Sequence, residues 1–143
     1  MTIALFCILL AAILPLVCAG LSKWRGFKVS HRDGGYDNRS PRDWIAKQEG
    51  FPRWAHAAQE NSWEAFPFFA AAVIVCHMLG VIGTLPNALA VAFIVLRVLY
   101  VWLYVSARQK WRSRVWALAW LVNVARGPIV DEAGTKVGEH EGA

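Results

Sequence analysis

The sequence predicts an all-α fold, an integral membrane bundle of four helices, and three observations point to it. Of 143 residues, 57% are hydrophobic and only 17% are charged, which is too apolar for an ordinary soluble domain. Four apolar stretches stand along the chain, and a span of the hydrocarbon core needs about 20 mostly apolar residues. The charges are confined between those stretches: residues 65–96 contain no Lys, Arg, Asp or Glu. One domain is expected at this length, with residues 1–128 forming the transmembrane unit and residues 129–143 a polar tail.

The first predicted helix covers residues 2–22. Its start, "MTIALF", lacks the basic residues that open a cleaved signal peptide, so it reads as a retained helix. Pro15 is tolerable there, because neighbouring helices can satisfy freed backbone groups. A loop, 23–51, follows. Its first part, "SHRDGGYDNRS", is rich in turn residues. Its second part, "SPRDWIAKQEG", predicts a short helix with Ser40 as N-cap, Pro41 at the first position and Gly50 beyond the end. Trp44 and Ile45, apolar among charges, suit either the membrane surface or a solvated connector. The second long helix covers 52–79, with Pro52 in its first turn. "GVIGTLPN" supplies a turn at 80–87. The third helix covers 88–107. The fourth covers 112–128, where Gly127 and Pro128 stop it.

Charge sets the expected orientation. Residues 23–53 hold eight basic and four acidic residues, and residues 107–114 hold four basic and none acidic. With four spans these two segments fall on one side and both termini on the other. The positive-inside rule puts the basic side in the cytoplasm. Trp24, Trp44, Trp54 and Trp111 stand near span ends, as an interfacial belt requires. The net charge of +5 brings no nucleic-acid motif with it, so nucleic acid is not expected as a partner.

Cys7, Cys18 and Cys76 lie in apolar runs without metal or CxxC spacing and read as small buried hydrophobes. The four histidines show no ligand spacing, so no metal site is expected. "GVIGTLPNA" lacks the lysine of a phosphate loop. Phe66, Phe68 and Phe69 read as packing or lipid contact.

Polar residues at the edge of the second long helix carry the chemistry. Glu60 and Glu64 are one turn apart, Asn61 is three residues before Glu64, and His56 lies one turn earlier, so a polar strip runs along one side of the helix. On the third helix Arg97, Tyr100, Tyr104 and Arg108 continue one face. A charge at bilayer depth costs about 2.5–3.5 kcal/mol on insertion scales, so Arg97 must face protein or water. Glu64 is its leading partner. From the residues alone, a structural ion pair and a polar ligand site are both open.

These same residues resemble a known family. "AAQENSWEAFPFFAAAV" is similar to the second-helix signature of the MAPEG family, the membrane-associated proteins of eicosanoid and glutathione metabolism. The family's Ala-Gln, Asn-x-x-Glu and Phe-Pro fall on Ala58-Gln59, Asn61, Glu64 and Phe66-Pro67. Arg97, Tyr100 and Tyr104, followed by a basic loop with Arg112 and Ser113, match the third-helix pattern. "YDNRSPR" looks like the loop of the bacterial branch. The resemblance covers about residues 1 to 128.

The resemblance implies a homotrimer of four-helix subunits in the bacterial inner membrane, with termini on the non-cytoplasmic side. It implies glutathione as co-substrate, bound between subunits near the cytoplasmic face. Gln59, Asn61 and Glu64 would hold its polar groups, Glu64 taking the ammonium. Arg97, Tyr100 and Tyr104 would line the pocket, and Arg112 or Arg114 would approach the sulfur. The implied activity is transfer of glutathione to, or peroxidase action on, a lipophilic small molecule from the bilayer. A thiol has a pKa near 8.5 and reacts as the thiolate, which a nearby guanidinium favours.

The sequence departs from the family at three places: Ala57 stands where members often have Arg, Ala65 replaces an aromatic, and Trp116 replaces the Tyr of some prostaglandin-synthase relatives. A non-catalytic lipid-binding or assembly subunit is therefore the second reading. A small transporter using Glu64 and Arg97 as a relay is the third.

Overall fold

The computed structural model describes residues 2–125 and 127–128. Every regular element among them is helical. Helix α1, Ile3–Lys23, buries Ala4, Cys7, Ala11, Pro15, Cys18 and Ser22, one small residue per turn. Its large residues Ile3, Phe6, Leu9, Ile13 and Leu16 are exposed. This reverses the soluble pattern. In lipid, small residues let helix backbones approach while large apolar side chains face the acyl chains. The α1 face of small residues packs chiefly on α3. Its first-turn N–H groups find acceptors: Leu5 donates to Thr2 Oγ1 at 3.4 Å and Ala4 to Asn87 Oδ1 at 3.0 Å, as a helix start requires.

Short helix α2 spans Pro41–Ala46. Trp44 and Ile45 are buried within the chain, so neither is the outward apolar side chain that a helix lying on the membrane would present. The Trp44 indole N–H donates to the Gly34 carbonyl at 3.1 Å, and its ring meets Tyr36 edge-on at 5.3 Å. A Cβ on Gly26 would run into the same indole. Trp44 therefore leaves the predicted interfacial belt and holds the loop together instead. Trp24 and Trp111 remain well exposed.

Helix α3 spans Phe51–Met78. It ends in a glycine cap: Val81 N–H donates to the Cys76 carbonyl at 2.9 Å and Gly80 N–H to that of His77 at 3.1 Å. Gly80 takes φ +70°, the left-handed conformation this cap requires. Helix α4, Thr84–Val105, starts about one turn before the sequence expectation. Pro86 falls in its first turn, where a missing N–H has no intrahelical partner to lose. At its far end the same cap recurs without glycine. Ala107 adopts φ +56°, and Arg108 N–H donates to the Leu103 carbonyl at 3.0 Å. Helix α5, Gln109–Val124, follows directly, so it begins earlier than 112 and ends before 128. The tail expected at 129–143 lies outside the described residues.

Side-chain contacts give the direction of packing. Phe69 of α3 stacks on Phe93 of α4 at 4.2 Å, and Asn61 reaches Arg97, so the two helices run antiparallel. Ala4 near the start of α1 meets Asn87 near the start of α4, so these two run parallel. Both basic connections, α1–α3 and α4–α5, therefore lie at one end. An apolar core of Ala4, Cys7, Ala11, Phe69, Val73, Ala90, Phe93 and Ala119 fills the other half.

Helices α1 and α4 are long and apolar enough to cross a membrane. Helix α3 is 28 residues long but carries its charges in the first half. Helix α5, 16 residues, is about 24 Å long at 1.5 Å per residue.

Candidate functional site

The site lies where α3 and α4 meet at the basic end. On α3, Ala55, Ala58 and Ser62 are buried at helical spacing, and their small size lets α4 approach. Cys18 of α1 packs with Ala58 and Val101, closing the cluster from behind. Into this gap α4 projects Arg97, only 3% exposed. Arg97 Nη1 donates to Asn61 Oδ1 at 2.9 Å and Nη2 to Ser62 Oγ at 3.1 Å. The Ser62 hydroxyl donates onward to the Ala58 carbonyl at 2.7 Å. That bond turns the oxygen's lone pairs toward the guanidinium.

The expected direct Glu64–Arg97 ion pair does not form. Glu64 is exposed and joins through Asn61, whose Nδ2 donates to Glu64 Oε2 at 3.4 Å. The reason is helical phase: the buried stripe of α3 passes through Ser62, and Glu64 lies about 200° around the helix from it. Among the described residues the ion pairs are His31–Asp37 at 3.8 Å and His56–Glu60 at 3.6 Å, neither of which includes Arg97. A buried guanidinium whose described hydrogen-bond acceptors, Asn61 and Ser62, are both neutral attracts an anion, since charges out of water are costly unless paired.

From Arg97 the cluster continues along α4. Its guanidinium lies 4.6 Å from the buried Tyr100 ring, Tyr100 meets Tyr104 edge-on at 5.6 Å, and Arg112 of α5 lies 4.3 Å over Tyr104. The tight turn at Ala107 brings α5 back far enough for this contact. Glu64, Asn61, Arg97, Tyr100, Tyr104 and Arg112 thus form one continuous chain of contacts. Arg114 falls outside it, exposed, over Trp111 at 5.1 Å. Gln59 is half-buried and lies three residues before Ser62, on a neighbouring part of the same face of α3.

Ser62 was missed in the sequence, although a signal existed. It continues the 3–4 spacing of Ala55 and Ala58, which marks it as inward-facing. On the other side of Arg97, Ala65, Phe68, Phe93, Ala119 and Trp120 line an apolar cleft of about 10 Å³. That is room for about one water molecule.

Helix packing with small residues inward, apolar bulk outward and a buried cation at one end defines an all-helical membrane protein with a polar site at its basic end. The chain belongs to the MAPEG family, whose model matches residues 3–126. No curated protein and no solved structure matches the chain.

Proposed function

We propose that this protein is a membrane-bound glutathione-dependent transferase or peroxidase acting on lipophilic electrophiles, with glutathione bound at the basic end between subunits of a homotrimer. The observation that carries this reading is Arg97, buried and bound to two neutral acceptors, with Tyr100, Tyr104 and Arg112 continuing its positive face. Glutathione has two carboxylates, an ammonium and a thiol. Arg97 suits an anionic group, and exposed Glu64 suits the ammonium. Arg112 sits on the outer side of the tyrosine pair, where a guanidinium favours the thiolate. The thiolate then bonds to the electrophilic carbon; a displaced group departs with its bonding electrons, or an opened epoxide oxygen stays on the product and takes up the thiol's proton. With a hydroperoxide, two glutathione thiols are oxidised to the disulfide while the peroxide becomes an alcohol and water.

Gln59, half-buried one turn before Ser62, adds a polar group beside the cluster for the same ligand. The two basic connections at one end support four spans, with that end in the cytoplasm and both termini outside, in a bacterial inner membrane. The second reading is a non-catalytic lipid-binding or assembly subunit of the same fold, favoured by Ala57, half-buried where relatives often place a pocket Arg.

Thermal unfolding in detergent with and without glutathione tests the binding claim, because a ligand specific for the folded form raises its stability. A conjugation assay with a generic electrophile then separates the two readings. A glutathione shift without turnover favours the non-catalytic subunit, and no shift removes glutathione from both.

A further inference from the structure

The segment that follows α1 has features the glutathione site does not use. Trp24 and Phe27 are 61% and 64% exposed, and Val29 is 48% exposed. The segment is nonetheless ordered. Residues Gly26–Lys28 form a 3₁₀ turn, Tyr36 N–H donates to the Gly26 carbonyl at 3.0 Å, and the Phe27 ring meets Tyr36 edge-on at 4.9 Å. The backbone is pinned, and the three apolar side chains are held outward.

Three cations share the same stretch. Lys28 Nζ lies 4.7 Å over the Trp24 ring, Lys23 Nζ 5.1 Å over Tyr36, and the Arg25 guanidinium 5.7 Å over Phe51. These contacts hold the charged groups beside the aromatic rings, and residues 23–29 contain no acidic residue. Amphipathic aromatics with lysine and arginine at the end of a membrane helix match the headgroup layer in both polarity and charge.

We propose that residues 23–29 bind acidic phospholipid. Trp24, Phe27 and Val29 enter the boundary between acyl chains and headgroups, and Lys23, Arg25 and Lys28 receive the lipid phosphate. The binding is independent of the Arg97 site.

The test uses the full-length protein in mild detergent, with thermal stability read as phosphatidylglycerol or phosphatidylcholine is added. Phosphatidylglycerol should raise the midpoint and phosphatidylcholine should not, and salt should reduce the effect. Arg25→Gln/Lys28→Gln should weaken the apparent lipid affinity roughly fivefold for each cation removed. Arg25→Lys/Lys28→Arg should keep the shift, as should Arg42→Gln/Lys47→Gln on and just after α2. Trp24→Ala, which preserves every charge, should reduce the shift and keeps the test decisive if the glutamine pair does not fold. Equal shifts from the two lipids, or the same shift from inorganic phosphate alone, would overturn the proposal. So would an undiminished shift in both the glutamine pair and Trp24→Ala.

Discussion

Two contacts between α3 and α4 stand about one turn apart along α4 and follow different physics. At one, Phe69 and Phe93 lie nearly parallel, with 5° between ring planes, in a core of apolar and small residues. At the other, Arg97 takes the equivalent inward position and is held by an amide and a hydroxyl. The aromatic contact needs only shape. Dispersion supplies its energy, and lipid offers a similar apolar environment as an alternative. The arginine contact needs specific atoms, because lipid offers the guanidinium nothing in their place. The first contact holds the helices together by shape, whereas the second holds a buried charge through two particular acceptors.

Removing an acceptor should separate the two most sharply. Asn61→Leu strands part of a buried cation and should cost at least about 3 kcal/mol, since leaving a buried charged group unsatisfied costs more than the roughly 1–3 kcal/mol of a neutral one. Equilibrium unfolding in mixed detergent measures it. Phe93→Ala should cost about 3 kcal/mol by the same measurement. That is the low end for a buried phenylalanine, since exposure to lipid is less costly than exposure to water. If Asn61→Leu costs less than Phe93→Ala, the polar contact is not buried as described.

Two further changes sharpen the comparison on the ligand side. Glu64→Gln touches no buried charge directly and should leave unfolding nearly unchanged. It should weaken glutathione binding by roughly 1.5–3 kcal/mol, the range for a charged hydrogen bond. Calorimetric titration separates this from a structural effect, and an equal loss of stability would return Glu64 to a bracing role. Arg112→Ala should have the smallest effect on binding. Without a guanidinium near it, the bound thiol should titrate at higher pH. A shift of about one unit gives about a tenfold slower rate at neutral pH, recovered as pH rises. A pH–rate profile identical to wild type would place the sulfur elsewhere.

Much of this was legible in the chain itself. Helical spacing alone put Arg97, Tyr100 and Tyr104 on one face and Asn61 with Glu64 on another, because 3.6 residues per turn is a property of the backbone. The clustering of basic charge in two connections likewise followed from what a bilayer excludes. The choice of partner was not legible. Coulomb reasoning paired Arg97 with the nearest acid in sequence, yet the packing phase of α3 presents Asn61 and Ser62 and turns Glu64 outward. Trp44 misled in a similar way. Its charged neighbours in sequence suggested an interface, while Gly26, Gly34 and Tyr36, distant along the chain, fold around it. Composition and periodicity along the chain set which segments are helical, which are apolar and how polar groups are spaced along each. Which polar groups meet emerges from packing, because it depends on the rotation of each helix about its axis, and that rotation is set by small residues packing against helices elsewhere in the chain.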